Sequence, residues 1–343
     1  MSRPTVTEPI VRVPEIGELE KICQLARKCY GDTHNEFIYD AQAMADAYAE
    51  GSYIPIIGED PGSGALIGHL CLMRHEWTSM VPVIELAFID HEYRCPGLSM
   101  KLGAKVKAVA ADLQVPGLMD FCVTTHKMSQ KATKMIDMMP CSMFMNLIPQ
   151  GLDAQQMLTT GQKKGTSINY YQAYDHSPMT VYPPEKHQAM IEEIYGWLDL
   201  PRTYASGNRG ALPKKADLVL RHSPHQRENI SDILIKSDGA DLEEQLKHAL
   251  EECRGYNRDS IFIFAPLASP SAPHIHDVAA ALGFSFSGIM PHVAQGKDSF
   301  FMQWLRDPIQ MTAIQTYGDE GRRLYDYVLD CMIDTLMQRS SAQ

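Results

Sequence analysis

Hydrophobic and polar positions along the chain follow two periods, and the points where one gives way to the other mark out the elements. Residues 83–89, Val-Ile-Glu-Leu-Ala-Phe-Ile, form an apolar run of strand length broken by a single carboxylate. Leu102, Val106, Val109, Ala110 and Leu113 then recur at helical spacing with Lys101, Lys105 and Lys107 between them, which predicts a helix over 100–113. Residues 119–126 read as a second buried strand, and 129–137 as a short helix capped by Ser129. Ahead of this block the pattern predicts a strand at 11–13 and a helix over 15–29 with Ile16, Leu19, Ile22, Cys23, Leu25 and Ala26 inward. A second helix follows over 40–49, then a hairpin of 52–60 and 65–73 around Pro61-Gly62-Ser63-Gly64. Behind it, 141–148 and 166–174 form a closing hairpin with a long connection over 149–165.

The second half repeats this outline. Val181-Tyr182-Pro183-Pro184 starts a linker and 185–198 is an amphipathic helix. Strands follow at 216–221 and 230–235, a helix at 242–253, a strand at 260–265, a short helix at 274–282 stopped by Gly283, and a hairpin of 284–289 with 299–305. The expected fold class is α/β (α+β), with mixed, mostly antiparallel sheets flanked by helices. The expected division is residues 1–175, a linker and helix at 176–210, and 211–343 with a C-terminal helix.

The chemistry concentrates in the turn between the 83–89 strand and the helix after it. A chain passing from strand to helix points several free backbone N–H groups at one spot, and the helix dipole makes that spot attractive to anions. Gly97 allows close backbone approach, Arg94 adds a fixed cation and Ser99 a hydroxyl. Taken alone, the turn is equally an ordinary connection. The hairpin tip at Pro61–Gly64 is a turn and not a phosphate loop, because no helix follows it.

The order of strand, Arg-x-x-Gly-x-Ser turn, helix, strand, polar junction and short helix resembles the core of the GNAT superfamily of acyl-CoA-dependent N-acyltransferases. The family pattern Gln/Arg-x-x-Gly-x-Gly/Ala is matched by Arg94 and Gly97, with Ser99 as a departure in the last place. The antiparallel hairpin leading into the 83–89 strand agrees with the family order, and the second half resembles a truncated copy. That copy has no counterpart of the turn, since acidic Lys236-Ser237-Asp238-Gly239-Ala240-Asp241 precedes its helix, so one cofactor site is expected, in the first half. The resemblance implies that backbone at Leu86, Ala87, Phe88 and Ile89 holds a pantetheine arm. It implies that Arg94, Cys95, Pro96, Gly97, Leu98 and Ser99, with Ser129, hold the rest of acetyl-CoA or another acyl-CoA, and that the acyl group passes directly to an amine.

Such transfer needs a base for the ammonium and a proton for the leaving thiolate. Glu85 is the carboxylate in the right strand, and it is equally placed to face solvent or pair with a lysine. The tyrosine that many relatives use as thiolate acid falls at Ile136 here, which leaves the acid unassigned. His126 and Ser129 are the substitutes at the mouth, with a structural hydrogen bond the simpler role for His126. Tyr170, Tyr171 and Tyr174 are within reach from the last strand. The region 30–39, with Tyr30, His34, Phe37 and Tyr39, is either a lid on the acceptor side or a packing loop.

Composition narrows the partners. Of 343 residues, 45% are hydrophobic and 21% charged, with a net charge of −11, which argues against nucleic acid or an anionic membrane as the main partner and mildly favours a cationic acceptor. No apolar run reaches spanning length and no basic-then-apolar leader opens the chain, so a cytoplasmic setting is expected. The eight scattered cysteines fit free thiols rather than a disulfide frame or zinc site. Cys95, beside Arg94 and a helix start, is the one for which a lowered pKa is conceivable, against the plainer role of a turn residue. The competing function is a non-catalytic acyl-CoA-binding module, or one that meets a protein partner or a second copy through its second half. A nucleotide-binding enzyme is disfavoured, because no acidic ribose contact or Lys-Ser/Thr pair follows the turn.

Overall fold

A computed structural model describes residues 5–78, 80–93, 95–149, 153–154, 158–159, 164–208, 210, 212–223, 229–306 and 314–341. The first half runs β1 (Ile10–Arg12), α1 (Leu19–Tyr30), α2 (Ala41–Glu50), β2 (Tyr53–Glu59), β3 (Leu66–Met73), β4 (Val83–Ile89), α3 (Leu98–Asp112), β5 (Gly117–Val123), α4 (Met128–Lys134) and β6 (Met139–Ile148). Two short strands, β7 (Asp153–Ala154) and β8 (Leu158–Thr159), precede β9 (Gly165–Ala173). The rest comprises β10 (Met179–Val181), α5 (Gln188–Trp197), β11 (Arg202–Tyr204), β12 (Asp217–His222), β13 (Ile230–Ser237), α6 (Leu242–Gly255), β14 (Ser260–Pro266), α7 (Ala272–Ala281), β15 (Ser285–Ala294), β16 (Lys297–Leu305) and α8 (Gly318–Ser341). This is the mixed α/β class the pattern predicts. The helix expected over 15–29 opens instead as a 3-10 turn at Ile16–Glu18, where Glu18 accepts from Arg12 and from the Glu15 N–H; Ile16, expected inward, is exposed.

Twelve strands form one sheet in the order β1-β2-β3-β4-β5-β9-β6-β15-β16-β14-β13-β12. Outward from the central pair β6 and β15, the neighbours are β9, β5 and β4 on one side and β16, β14 and β13 on the other. Each side has one parallel pair, β4 with β5 and β13 with β14, crossed over by α3 and α6 respectively. The likeness extends to irregularities. The β6–β9 register slips between Pro140 and Ser142 and between Phe144 and Ile148, and the β15–β16 register slips between Phe286 and Gly288 and between Met290 and Ala294. Asn146 and His292, each two residues beyond Phe144 and Met290, both take a positive φ, of 58° and 62°. Two halves of like topology therefore share a sheet edge to edge.

The joint between them is narrow and polar. Gly288, with φ 121°, pairs with Ser142, and a Cβ there would collide with the backbone of Cys141 and Ser142. Ser287 donates to the Met143 carbonyl, Ser260 to the Asn146 carbonyl at 3.2 Å, and Gln303 accepts the Met145 N–H at 3.1 Å. Around these groups Phe144 packs against Phe121, Phe262, Phe264 and Phe301. Met138, Met143 and Met145 fill the same core, whereas Met135 is exposed.

The connection between the halves is pinned by a second buried polar group. His187, just before α5, accepts or donates at 2.9 Å to Tyr327 of α8 through Nδ1 and to His276 of α7 through Nε2, and stacks on Phe286. Burial holds its imidazole down to a pKa of about 3, against about 6.5 in an unfolded chain. The unfolded state therefore binds more protons below that value, and stability falls as pH is lowered through it, by up to about 1.4 kcal/mol per pH unit for this group. Urea unfolding at pH 7 and at pH 5 is expected to give a lower free energy at pH 5, and a His187→Gln variant a visibly flatter dependence; an unchanged slope would remove the pair from the account.

Candidate active site

The parallel pairing of β4 and β5 stops after two rungs, Val83 with Met119 and Ile84 with Asp120, while β5 stays paired with β9 along its whole length. Beyond the second rung the two strands part and leave a wedge lined by Glu85 to Ile89. The local cause is a bulge in β4. Between the pairs His69–Phe88 and Cys71–Glu85 the β4 side carries one extra residue, and Leu86 takes φ 52°. Its carbonyl is held by His69 Nδ1 at 2.8 Å, and His69 Nε2 meets the Tyr53 hydroxyl at 2.9 Å. A carbonyl only accepts, so Nδ1 carries the proton and Nε2 accepts from Tyr53. Burial keeps this imidazole neutral, with a pKa of about 4. Ala87 is exposed within the wedge, Leu86 and Ile89 are half-buried and Phe88 is buried.

The turn after β4 sits at the open end. Asp90 is buried and takes Lys28 of α1 at 2.7 Å, anchoring the strand's exit. Gly97 occupies the N-cap of α3 in the left-handed region, φ 82°, with open space where a Cβ would stand. The Lys101 N–H is the first to bond back into the helix, to the Gly97 carbonyl, so the N–H groups of Ser99 and Met100 lack an intrahelical acceptor. No acidic residue sits in this first turn, and Pro96, Gly97 and Ser99 are exposed. Leu98 faces the other way and is fully buried. It lies on Gly58 and Gly68, paired residues of β2 and β3, where an added Cβ would stand 2.7 Å and 3.0 Å from its methyl groups. The two glycines let the start of α3 press flat on the sheet. Arg94 lies outside the described residues. Cys95 is half-buried and burial raises its thiol pKa, against the opposing pull of Lys101, so the lowered pKa conceivable for it is not found.

Two carboxylates flank the vertex of the wedge. Glu85 Oε1 meets His75 Nε2 at 2.7 Å, so its partner is a histidine rather than a lysine. Its charge is felt by His34 in the α1–α2 connection. Asp120, opposite Ile84 on the last rung, points to the other face, where it accepts from Thr133 of α4; Thr133 also contacts the Cys122 thiol at 3.2 Å. Burial pushes the Asp120 carboxyl up to about 6, with Glu85 adding to the rise.

At the mouth between β5 and α4, two expectations change. The helix begins at Met128 after Lys127, with no side-chain cap, and ends at Lys134, so Ser129 lies inside its first turn with Oγ buried beside Cys122. From one residue ahead of the N-cap, His126 takes the first free helix N–H instead of Ser129: its Nδ1 accepts the Met128 N–H at 3.3 Å, and burial lowers its pKa. Ile136 packs on Gly103 of α3. Of the three tyrosines, Tyr171 bonds His292 and Tyr174 bonds Gln172, while the Tyr170 hydroxyl is buried near Asp120 and Cys122 with no hydrogen-bond partner among the described residues. The rim is completed from the far end of the chain. Gln315 donates to the Thr124 and Thr125 carbonyls at 2.7 and 3.0 Å, Gln130 joins Gln315 and Tyr317, and Lys134 pairs with Glu320.

The order of elements, the hairpin entering β4, the glycine turn opening α3 and the parting of β4 from β5 agree with the expected family core. The fold is GNAT-like. No family model and no curated protein matches the chain. Among solved structures it is similar to a ribosomal-protein-S5-alanine acetyltransferase from Vibrio fischeri, with 9% identity over 48% of this chain and 92% of that one and a TM-score of 0.38. It is also similar to an N-acetyltransferase from Staphylococcus aureus Mu50, with 11% identity over 49% of this chain and 100% of that one and a TM-score of 0.40. A third is spermidine N-acetyltransferase from Vibrio cholerae in complex with CoA and spermine, with 12% identity over 48% of this chain and 95% of that one and a TM-score of 0.37.

Within this GNAT-like frame the second half differs at the equivalent place. Its parallel pair β13–β14 carries five rungs, from Ile230–Ser260 to Leu234–Phe264, and its helix α6 opens with Glu243 and Glu244 in the first turn. Asp120, Thr133 and His75 are the site residues sequence reasoning passed over. The one signal for Asp120 was a carboxylate inside an apolar strand. All eight cysteines are free thiols, and among the described residues no group of three or more His, Cys, Asp or Glu is placed to hold a metal ion. Among the described residues no helix is long and apolar enough to cross a membrane.

The seat of α3 is testable by coupling. Leu98→Ala is expected to cost about 2–5 kcal/mol in urea unfolding, and appreciably less in a Gly58→Ala, Gly68→Ala background whose methyl groups occupy the vacated space. Simple additivity would show that Leu98 and the glycines do not share one contact.

Proposed function

We propose that the chain is an N-acyltransferase that moves an acyl group, most simply acetyl, from acyl-CoA to an amine by direct attack. In this reading residues 1–175 form the acyl-CoA-binding catalytic unit, 176–210 a connecting segment and 211–343 a degenerate copy. The observation that carries it is the wedge: a strand pair unzipped beyond its second rung, with helix-start N–H groups that lack an intrahelical acceptor at its open end and a carboxylate on each face of its vertex.

The groups present fit a CoA thioester. Backbone at Leu86 to Ile89 offers a strand edge for the amide-bearing pantetheine arm, and Ser99 and Met100 offer N–H donors, with Gly97 leaving space, for the phosphates. Bound there, the thioester would supply an activated acyl carbon. Glu85, held by His75, takes a proton from the ammonium of the acceptor on the α1–α2 side. The loop with His34 and Tyr39 walls that side, and the net charge of −11 favours a cationic acceptor. We place the protein in the cytoplasm on the strength of its free thiols.

One observation favours a second reading, an acyl-CoA-binding module without turnover: the position of the usual acid is filled by Ile136, packed against Gly103. Calorimetric titration with acetyl-CoA, CoA and ATP separates the possibilities from a plain strand–helix connection. Binding of the CoA species at one site per chain, lost in Gly97→Glu, is expected. Glu85→Gln is then expected to keep that affinity within about twofold and to lower turnover with a panel of primary amines by about 10²–10⁴-fold. CoA binding with no thiol released by any amine would favour the module, and no CoA binding would end both.

A further inference from the structure

Resting on the acyltransferase reading, we infer that Asp120 is the acid that protonates the departing sulfur, taking the place left empty by Ile136. The argument is positional. Ile84 and Glu85 are consecutive in β4 and so point to opposite faces of the sheet, and Asp120 is Ile84's partner on the last rung before the strands part. Glu85 thus serves one face, towards His75 and the α1–α2 connection, and Asp120 the other, beneath α4. A thioester held in the wedge would stand between the two carboxylates, with its carbon open to an amine on the Glu85 face and its sulfur towards the face on which Asp120 lies. Asp120 is the carboxyl at that inner end. Thr133 holds it in place from α4, one turn before the position where Ile136 has replaced a hydroxyl by a packing group.

The proton count closes. As the carbon–sulfur bond breaks, its electron pair stays on sulfur, and Asp120 gives the sulfur its carboxyl proton and is left as carboxylate. The nitrogen loses two protons between ammonium and amide, the first to Glu85. One of the two restores Asp120 by way of solvent, and the other is the net proton released. The raised affinity of Asp120 for its proton, caused by burial and by Glu85, suits a donor to a thiolate near neutral pH.

The test reads the sulfur itself and needs no acceptor. The thiol of bound CoA is titrated by the ultraviolet absorbance of its thiolate, with desulfo-CoA as the blank, in the wild type, Asp120→Asn and Thr133→Ala. With a carboxylate beside it, the bound thiol is expected to ionise about one pH unit higher in the wild type than in Asp120→Asn. In Thr133→Ala, where the charge is no longer shared with a hydroxyl, it is expected to ionise at least as high as in the wild type. Once an acceptor is found, Asp120→Asn should lower kcat by about 10²–10⁴-fold with KM for acetyl-CoA little changed. Equal CoA affinity with identical thiol titrations in all three proteins overturns the role of Asp120 and leaves the acyltransferase reading standing. Failure of the wild type to bind CoA overturns both.

Discussion

The site depends on one hydrogen bond between a buried, neutral histidine and a backbone carbonyl. His69 stands in β3 with Tyr53 behind it and Leu86 in front, and it pins that carbonyl where β4 has gained a residue and turned to positive φ. A β-strand that keeps its register would run on alongside β5 and close the sheet. Instead the ladder ends at Ile84, and the strand edge that would have been spent on β5 is left for something else. Burial is what makes the device dependable: it keeps the imidazole neutral, with its one proton on Nδ1 for the Leu86 carbonyl and Nε2 left to accept from Tyr53.

The other half of the sheet is the natural comparison. It has the same neighbours in mirrored order and the same two slips of register beside its central strand, yet its parallel pair runs five rungs and its crossover helix starts among carboxylates. The architecture alone therefore does not open a wedge. What separates the halves is local: a bulge, a glycine N-cap and the glycine pair that lets Leu98 sit close.

Much of the fold was legible because period and punctuation agree. Apolar runs of strand length, helical spacing over 100–113 and glycines at 97 and 283 each point to one answer. What escaped was set by partners far along the chain. Asp120 reads as a blemish in a strand until Thr133 and Ile84 are beside it. Ser129 has the composition of a cap, but His126 reaches the helix start first. The joint at Gly288 carries no periodic signal at all, since its requirement is backbone against backbone from two distant strands. The likeness of β6 and β15 lies in where they bend, and residues as unlike as Asn146 and His292 serve the same bend.

The rim has a consequence for how the molecule comes into being. Gln130 is tied to Gln315 across 185 positions, and Lys134 to Glu320 across 186. During synthesis the first half can assemble its strands and seat α3 well before the ribosome has made those partners. The mouth between β5 and α4 stays unlatched until residues 315 to 320 have emerged. Contacts of such long range form late and slow the final step of folding relative to the local pairings that precede it. The second half, closed at its own wedge, thus acts on the first as the last piece of its scaffold, and a nascent chain stalled before Ile314 would possess the wedge without its rim.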